Sequence, residues 1–272
     1  MKRIHKVGLI LGALAAVLAF GAHAWAQKGK AGFFRGRIQA HIDSALDAAK
    51  ATPPQRAAIG AAVDHVFDAF KDGQQNHGAE LEEALSLFKA DKLDDAAVTA
   101  HRARREAEAK KVGDAMVQAI YDTHDALTAP QRQSIVDFVK QQHQQHQGGH
   151  GGMREKFMGH MIDSRIDAAL DEVKATSAQR ATVIAAKDRV LAALQSSRQD
   201  PGADFDKALA LFASDKIDGT QVEAMRAEHL AKIRKVADTI VQAISDVHAS
   251  LSAAQRNTLV DWVRTHQHEH HG

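Results

Sequence analysis

The chain is a duplication. Displacing the sequence by 124 positions lays one half on the other without a gap, and from Phe33/Phe157 to His146/His270 50 of 114 pairs are identical. A period of that length marks a doubled domain and not a solenoid of short repeats. Whatever fold one half adopts, the other must reach from nearly the same apolar pattern. Ala51-Thr52-Pro53-Pro54-Gln55-Arg56 falls on Ala175-Thr176-Ser177-Ala178-Gln179-Arg180, and Leu127-Thr128-Ala129-Pro130-Gln131-Arg132 on Leu251-Ser252-Ala253-Ala254-Gln255-Arg256. The expected division is a leader over 1–26, a first helical unit over 27–147, a Gly/His linker over 148–152 and a second helical unit over 153–272. The stretch Gln147 to Gly152 is expected to break the helix before it.

Within each half the apolar period is helical. Ile38, Ile42, Ala45, Leu46 and Ala49 share one face of a first helix over about Phe33 to Lys50. Ile59, Val63, Val66, Phe67 and Phe70 do the same for a second helix ending near Lys71. A short helix follows around Glu80 to Lys89, then a long one from about Asp94 to Leu127, then a last one from Ala129 to His146. With no period-2 alternation, the fold class is all-α, four to five helices per unit. Aromatic residues make up only 5% of the chain and alanine much of its apolar count, which favours thin helix-on-helix packing.

Four copies of Ser/Thr-x-x-Gln-Arg mark helix starts: Thr52 with Gln55, Thr128 with Gln131, Thr176 with Gln179, and Ser252 with Gln255. This is the capping-box pattern, in which the hydroxyl accepts from the third helical amide and the glutamine reaches back to the cap amide. Pro53 and Pro130 are expected at the first helical position, where no amide donor is needed.

Two such boxes per unit, with Ile120 to Val139 reading IYDTHDALTAPQRQSIVDFV, resemble the Spy/CpxP family of periplasmic proteins, and the resemblance spans 33–146 and 157–270. Ala51 and Ala175 stand where the family has leucine, and two units occupy one chain where the family usually has one. The resemblance implies a hooked helical hairpin that pairs antiparallel into a thin cradle. It further implies a concave face that holds unfolding proteins without ATP under envelope stress. Other members of the superfamily bind or sense heavy-metal ions. Here the two covalently joined halves are expected to pack as an intramolecular pseudo-dimer, either monomeric or swapped into a homodimer. The expected partners are unfolded or misfolded envelope proteins, with a sensor kinase or other regulator as a further candidate.

The first 26 residues read as a cleaved secretory signal: Lys2, Arg3 and Lys6, an apolar run from Val7 to Phe20, and Ala24-Trp25-Ala26 at the cleavage site. The run is short for a membrane span of about 20 residues, so no stable membrane insertion is expected after cleavage. The mature chain would be periplasmic and carry 32 Lys+Arg against 34 Asp+Glu, a charge of −2 that excludes general nucleic-acid binding. With no cysteine there are no disulfides, thiolate metal sites or cysteine nucleophiles.

No zincin, phosphate-loop or nucleophile-elbow motif is present, so the expected activity is binding and not catalysis. No cofactor is expected to be required. Histidine is the exception to that economy. Among 17 histidines, His143, His146 and His150 cluster beside the linker, and His266, His268, His270 and His271 at the C-terminus. Neutral imidazoles three or four residues apart suit Zn, Cu or Ni ions. His124 and His248 coincide under the repeat shift and stand in the last turn of the long helix, where the helix dipole favours them. For client binding the candidates are Arg102 and Arg105, which could steer acidic segments, and the wide apolar stripe of Met116, Ile120, Ile240 and Ile244.

Overall fold

The computed structural model of the chain describes residues 31–75, 77–146, 151–197 and 201–268, and these are helices joined by short turns. The first repeat supplies α1 (Ala31–Ala48), α2 (Pro53–Gln75), α3 (His77–Lys89), α4 (Asp95–Ala126) and α5 (Ala129–His146). The second supplies α6 (Gly151–Glu172), α7 (Ser177–Ser197), α8 (Pro201–Ala213), α9 (Gly219–Ser250) and α10 (Ala253–His268). The all-α class is as the periodicity indicates. The expected leader over 1–26 lies outside the described residues, as do 148–150 of the expected linker. Gly151 and Gly152 already belong to α6, so helix resumes there despite the glycines. No described helix is long and apolar enough to cross a membrane.

The helix ends explain the boundaries. Chain reversal after α1 is a Schellman turn: the Lys50 amide donates to the Asp47 carbonyl (3.0 Å) and the Ala51 amide to the Leu46 carbonyl (2.9 Å). Buried Leu46 and Ala51 make the apolar contact of that motif. Lys174 and Ala175 repeat it after α6, with donations to Asp171 and Leu170. Lys50 and Lys174 each take φ 50°, a left-handed conformation that lysine adopts at a cost. Pro53 opens α2 as expected. Pro130 does not open α5: Ala129 does, and Pro130 takes the second position, where its missing amide is still among the unpaired donors of the first turn.

Compactness does not follow the repeats. Among the described residues, one compact unit comprises 31–71, 110–146, 151 and 202–219; the other comprises 72–75, 77–109, 152–197, 201 and 220–268. Thus α8, from the second repeat, belongs to the first unit, and its equivalent α3, from the first repeat, belongs to the second. In the first unit α1 packs on α5, and Ile38, Ile42, Leu46, Ile59, Phe67, Ile135, Val136 and Val139 form one core with Leu209 and Phe212 of α8. A second core in that unit joins Ala62, Val66 and Ala69 of α2 to Val112, Ala115, Met116 and Ala119 of α4. In the second unit α3 packs on α10. Leu209 is 0% exposed, and burying such a side chain is worth about 1.5–3 kcal/mol. Arg132 also pairs with the fully exposed Asp215 in the turn after α8, at 3.8 Å.

Candidate functional site

The four boxes are built, and they do more than cap. In each, the glutamine Oε1 accepts from the cap amide: Thr52 at 2.8 Å, Thr128 at 3.0 Å, Thr176 at 2.9 Å and Ser252 at 3.0 Å. The reciprocal half differs between repeats. Thr176 and Ser252 accept from the Gln179 and Gln255 amides at 3.3 and 3.2 Å. The Thr52 and Thr128 hydroxyls instead donate to their glutamine Oε1 at 3.1 Å.

The glutamines then pair with each other. Gln55 Nε2 donates to Gln131 Oε1 (2.8 Å) while Gln131 Nε2 donates back to Gln55 Oε1 (3.0 Å), and Gln55 Nε2 also reaches the Ala126 carbonyl (2.8 Å). Gln179 and Gln255 form the same reciprocal pair at 2.8 and 3.0 Å, with Gln179 on the Ser250 carbonyl. The following arginines fold back as well, Arg132 onto the Leu127 carbonyl and Arg256 onto the Leu251 carbonyl, both at 2.8 Å. The pair of boxes in one repeat is therefore a single clasp joining two helix starts. Sequence reasoning found the caps but neither this amide pair nor a role for the arginines; two boxes per repeat with an invariable Gln-Arg was the available signal.

The repeated histidines are pins. In the first unit His124, at the end of α4, is buried; its Nε2 donates to the Ser214 carbonyl (2.9 Å) and its ring meets Phe212 edge-on. In the second unit His248, at the end of α9, donates to the Ala90 carbonyl (2.8 Å) and meets Phe88 edge-on. A carbonyl only accepts, so each Nε2 carries the hydrogen. These contacts hold the exchanged α8 and α3, a more specific structural role than interaction with the helix dipole.

The second unit also holds an open groove of about 570 Å³ that presents almost no polar surface. Its walls are Leu85 and Phe88 of α3, Ile162 and Ile166 of α6, Val183, Leu191 and Leu194 of α7, Ile240 and Ile244 of α9, and Leu259 and Val263 of α10. Ile240 and Ile244 are 39% and 43% exposed, unusual for large aliphatic side chains on adjacent turns. Lys187 is the charged group at the wall. Its ammonium bonds Asp163 (2.7 Å) and Asp188 (3.2 Å), and the Asp163 hydrogen bond raises its pKa above the ordinary lysine value.

The candidate client-binding residues separate into different environments. Ile240 and Ile244 line the groove, whereas Met116 is buried in the first unit's second core and Ile120 packs beside its first. Met116 is therefore corrected from open stripe to interior. In the second unit Arg102 pairs with Asp238, and Arg105 with Glu80 (2.8 Å) and Glu108 (3.1 Å), which offsets the charge expected to steer acidic clients. Glu106 bonds Arg234, and that hydrogen bond holds its carboxyl below the usual carboxylate range.

Of the candidate metal ligands, His143 lies exposed in the first unit with its ring 4.6 Å from that of Phe205. His266, in the second unit, stacks on Trp262 with Nδ1 on the Trp262 carbonyl (2.8 Å). The side chains of His146 and His268, and the whole of His150, His270 and His271, lie outside what is described. Among the described residues no three histidine, aspartate or glutamate side chains converge as a metal site.

Comparison with known families follows the duplication. Residues 8–134 match the heavy-metal resistance family, and residues 161–262 match the LTXXQ motif family. The second match contains Leu251 to Gln255, and the first contains Leu127 to Gln131, the two spellings of the box nearest that motif. Comparison with curated proteins and with solved structures returned no match. Each half of the chain is thus similar to a Spy/CpxP-type family, the first to heavy-metal resistance and the second to the LTXXQ motif family, which fits a tandem arrangement.

Proposed function

We propose that the chain is a periplasmic, ATP-independent chaperone that binds unfolded or misfolded envelope proteins through apolar contact and catalyses no reaction. The observation that carries this reading is the open groove of the second unit, with Ile240 and Ile244 at its mouth. Apolar surface left open on a helical protein is what a holdase offers an unfolding client. Because each compact unit draws helices from both repeats, one chain supplies all the parts, and the expected mass in solution is that of one chain. The test is aggregation of a chemically denatured model protein diluted into buffer without nucleotide. Wild type should suppress it, and the double variant Ile240→Asp/Ile244→Asp, altered only at exposed positions, should not. Equal suppression by both would remove the groove from the mechanism.

A second reading, heavy-metal binding, is favoured by the family match over 8–134 and by the histidine-rich segments. His143 and His266 do not by themselves make a site in this fold. Replacing His266, His268, His270 and His271 by Gln should lower zinc binding measured by calorimetry. Aggregation suppression that fell with it would favour the metal reading over the plain chaperone.

A further inference from the structure

The duplication provides an internal reference for what the groove accommodates. Under the repeat shift, Ile240 and Ile244 of the second unit correspond to Met116 and Ile120 of the first, where Met116 is buried and Ile120 packs against the core. There α2 carries Phe67, which is buried, and Phe70, which packs against both cores. Their equivalents on α7 are Leu191 and Leu194, which line the groove. The same fold therefore carries two phenyl rings at this place in one unit and two smaller branched chains in the other.

From this we infer that the groove of the second unit takes phenylalanine side chains of an uncharged, unfolded segment, the rings that Phe67 and Phe70 provide internally to the first unit. The charges agree. Lys187 at the wall is neutralised by Asp163 and Asp188, and no other lining side chain is ionisable, so an uncharged apolar occupant leaves no ion unpaired. The two units have then diverged in role, one packed on its own aromatic residues and the other open to those of a client. This inference rests on the proposed chaperone function and names its substrate class.

The probe is a fluorescein-labelled, uncharged, soluble peptide with two phenylalanines, beside a matched peptide with two alanines, read by anisotropy on the full chain. Wild type should bind the phenylalanine peptide at least about tenfold more tightly, the discrimination expected from burying one large apolar side chain. Leu191→Phe/Leu194→Phe supplies the rings from within and should lower that affinity about tenfold or more, with helical content unchanged. Leu194→Phe alone, at a half-buried position, should lower it by less and serves if the double variant fails to fold. Wild-type aggregation suppression with equal binding of the two peptides, or with undiminished binding in both filled variants, overturns this inference and leaves the chaperone reading standing. Absence of aggregation suppression and of peptide binding together overturns both.

Discussion

Substituting Gln55 by Glu separates a clasp from a cap. In an isolated capping box glutamate and glutamine serve equally, because either can accept from the cap amide, and a carboxylate at a helix start gains about 0.3–1 kcal/mol from the helix dipole. In this structure Gln55 also donates, through Nε2, to the Ala126 carbonyl and to Gln131 Oε1, both at 2.8 Å. A carboxylate keeps the acceptor role towards Thr52 and Gln131 Nε2 but turns those two donations into oxygen facing oxygen. Two lost hydrogen bonds at about 1 kcal/mol each, and a part-buried carbonyl left unpaired at about 1–3 kcal/mol, outweigh the dipole gain. The net expectation for Gln55→Glu is about 2 kcal/mol of destabilisation at neutral pH, read from the urea midpoint of helical circular dichroism. Protonating the introduced carboxyl restores one donor, so its folded-state pKa lies above the unfolded one and the deficit should shrink on acidification. Gln55→Ala removes every bond and should cost more, with no such pH dependence. A Gln55→Glu midpoint equal to wild type at neutral pH would refute the clasp.

Three other outcomes follow. Lys174→Gly places the favoured residue at a left-handed helix terminus and should stabilise by about 0.5–1 kcal/mol in thermal melts. His248→Ala leaves the Ala90 carbonyl without its donor beside a vacated ring and should cost about 2–4 kcal/mol. It should also raise amide hydrogen exchange in α3 more than in α1. In the second unit the hydrogen bonds from Arg104, Arg234 and Arg189 hold Glu83, Glu106 and Asp246 below the usual carboxylate range. Folded values below unfolded ones mean the contribution is present above the unfolded pKa and lost as pH falls through the folded values. The thermal midpoint should therefore drop between about pH 5 and pH 3, and by less in high salt, since all three pairs are exposed.

Much of this was legible in the sequence, for identifiable reasons. Helix starts were readable because Thr52, Thr128, Thr176 and Ser252 declare themselves locally, and α5 spans Ala129 to His146 as expected. The ends of α1 and α6 were less so, because Lys50 and Lys174 hold a conformation that glycine normally signals. The exchange of α3 and α8 could not be read at all. Leu85 and Leu209 occupy equivalent positions in helices that share the same apolar spacing, and the pattern is the same whichever repeat each packs against. The groove was half legible: the stripe at Met116, Ile120, Ile240 and Ile244 was visible, but not which of these residues stay exposed. The accompanying difference lies on a different helix, Phe67 and Phe70 against Leu191 and Leu194, which only tertiary packing brings beside the stripe.

The most direct measurement of the central claim is light scattering of a denatured model protein diluted into nucleotide-free buffer with the full chain. It is run in three arms: untreated, with added zinc, and with a chelator. The account predicts suppression near stoichiometric ratio, equal in all three arms, because the groove is built of carbon and needs no ion. Suppression that appears only with zinc, or none at a large excess of the chain, would contradict it.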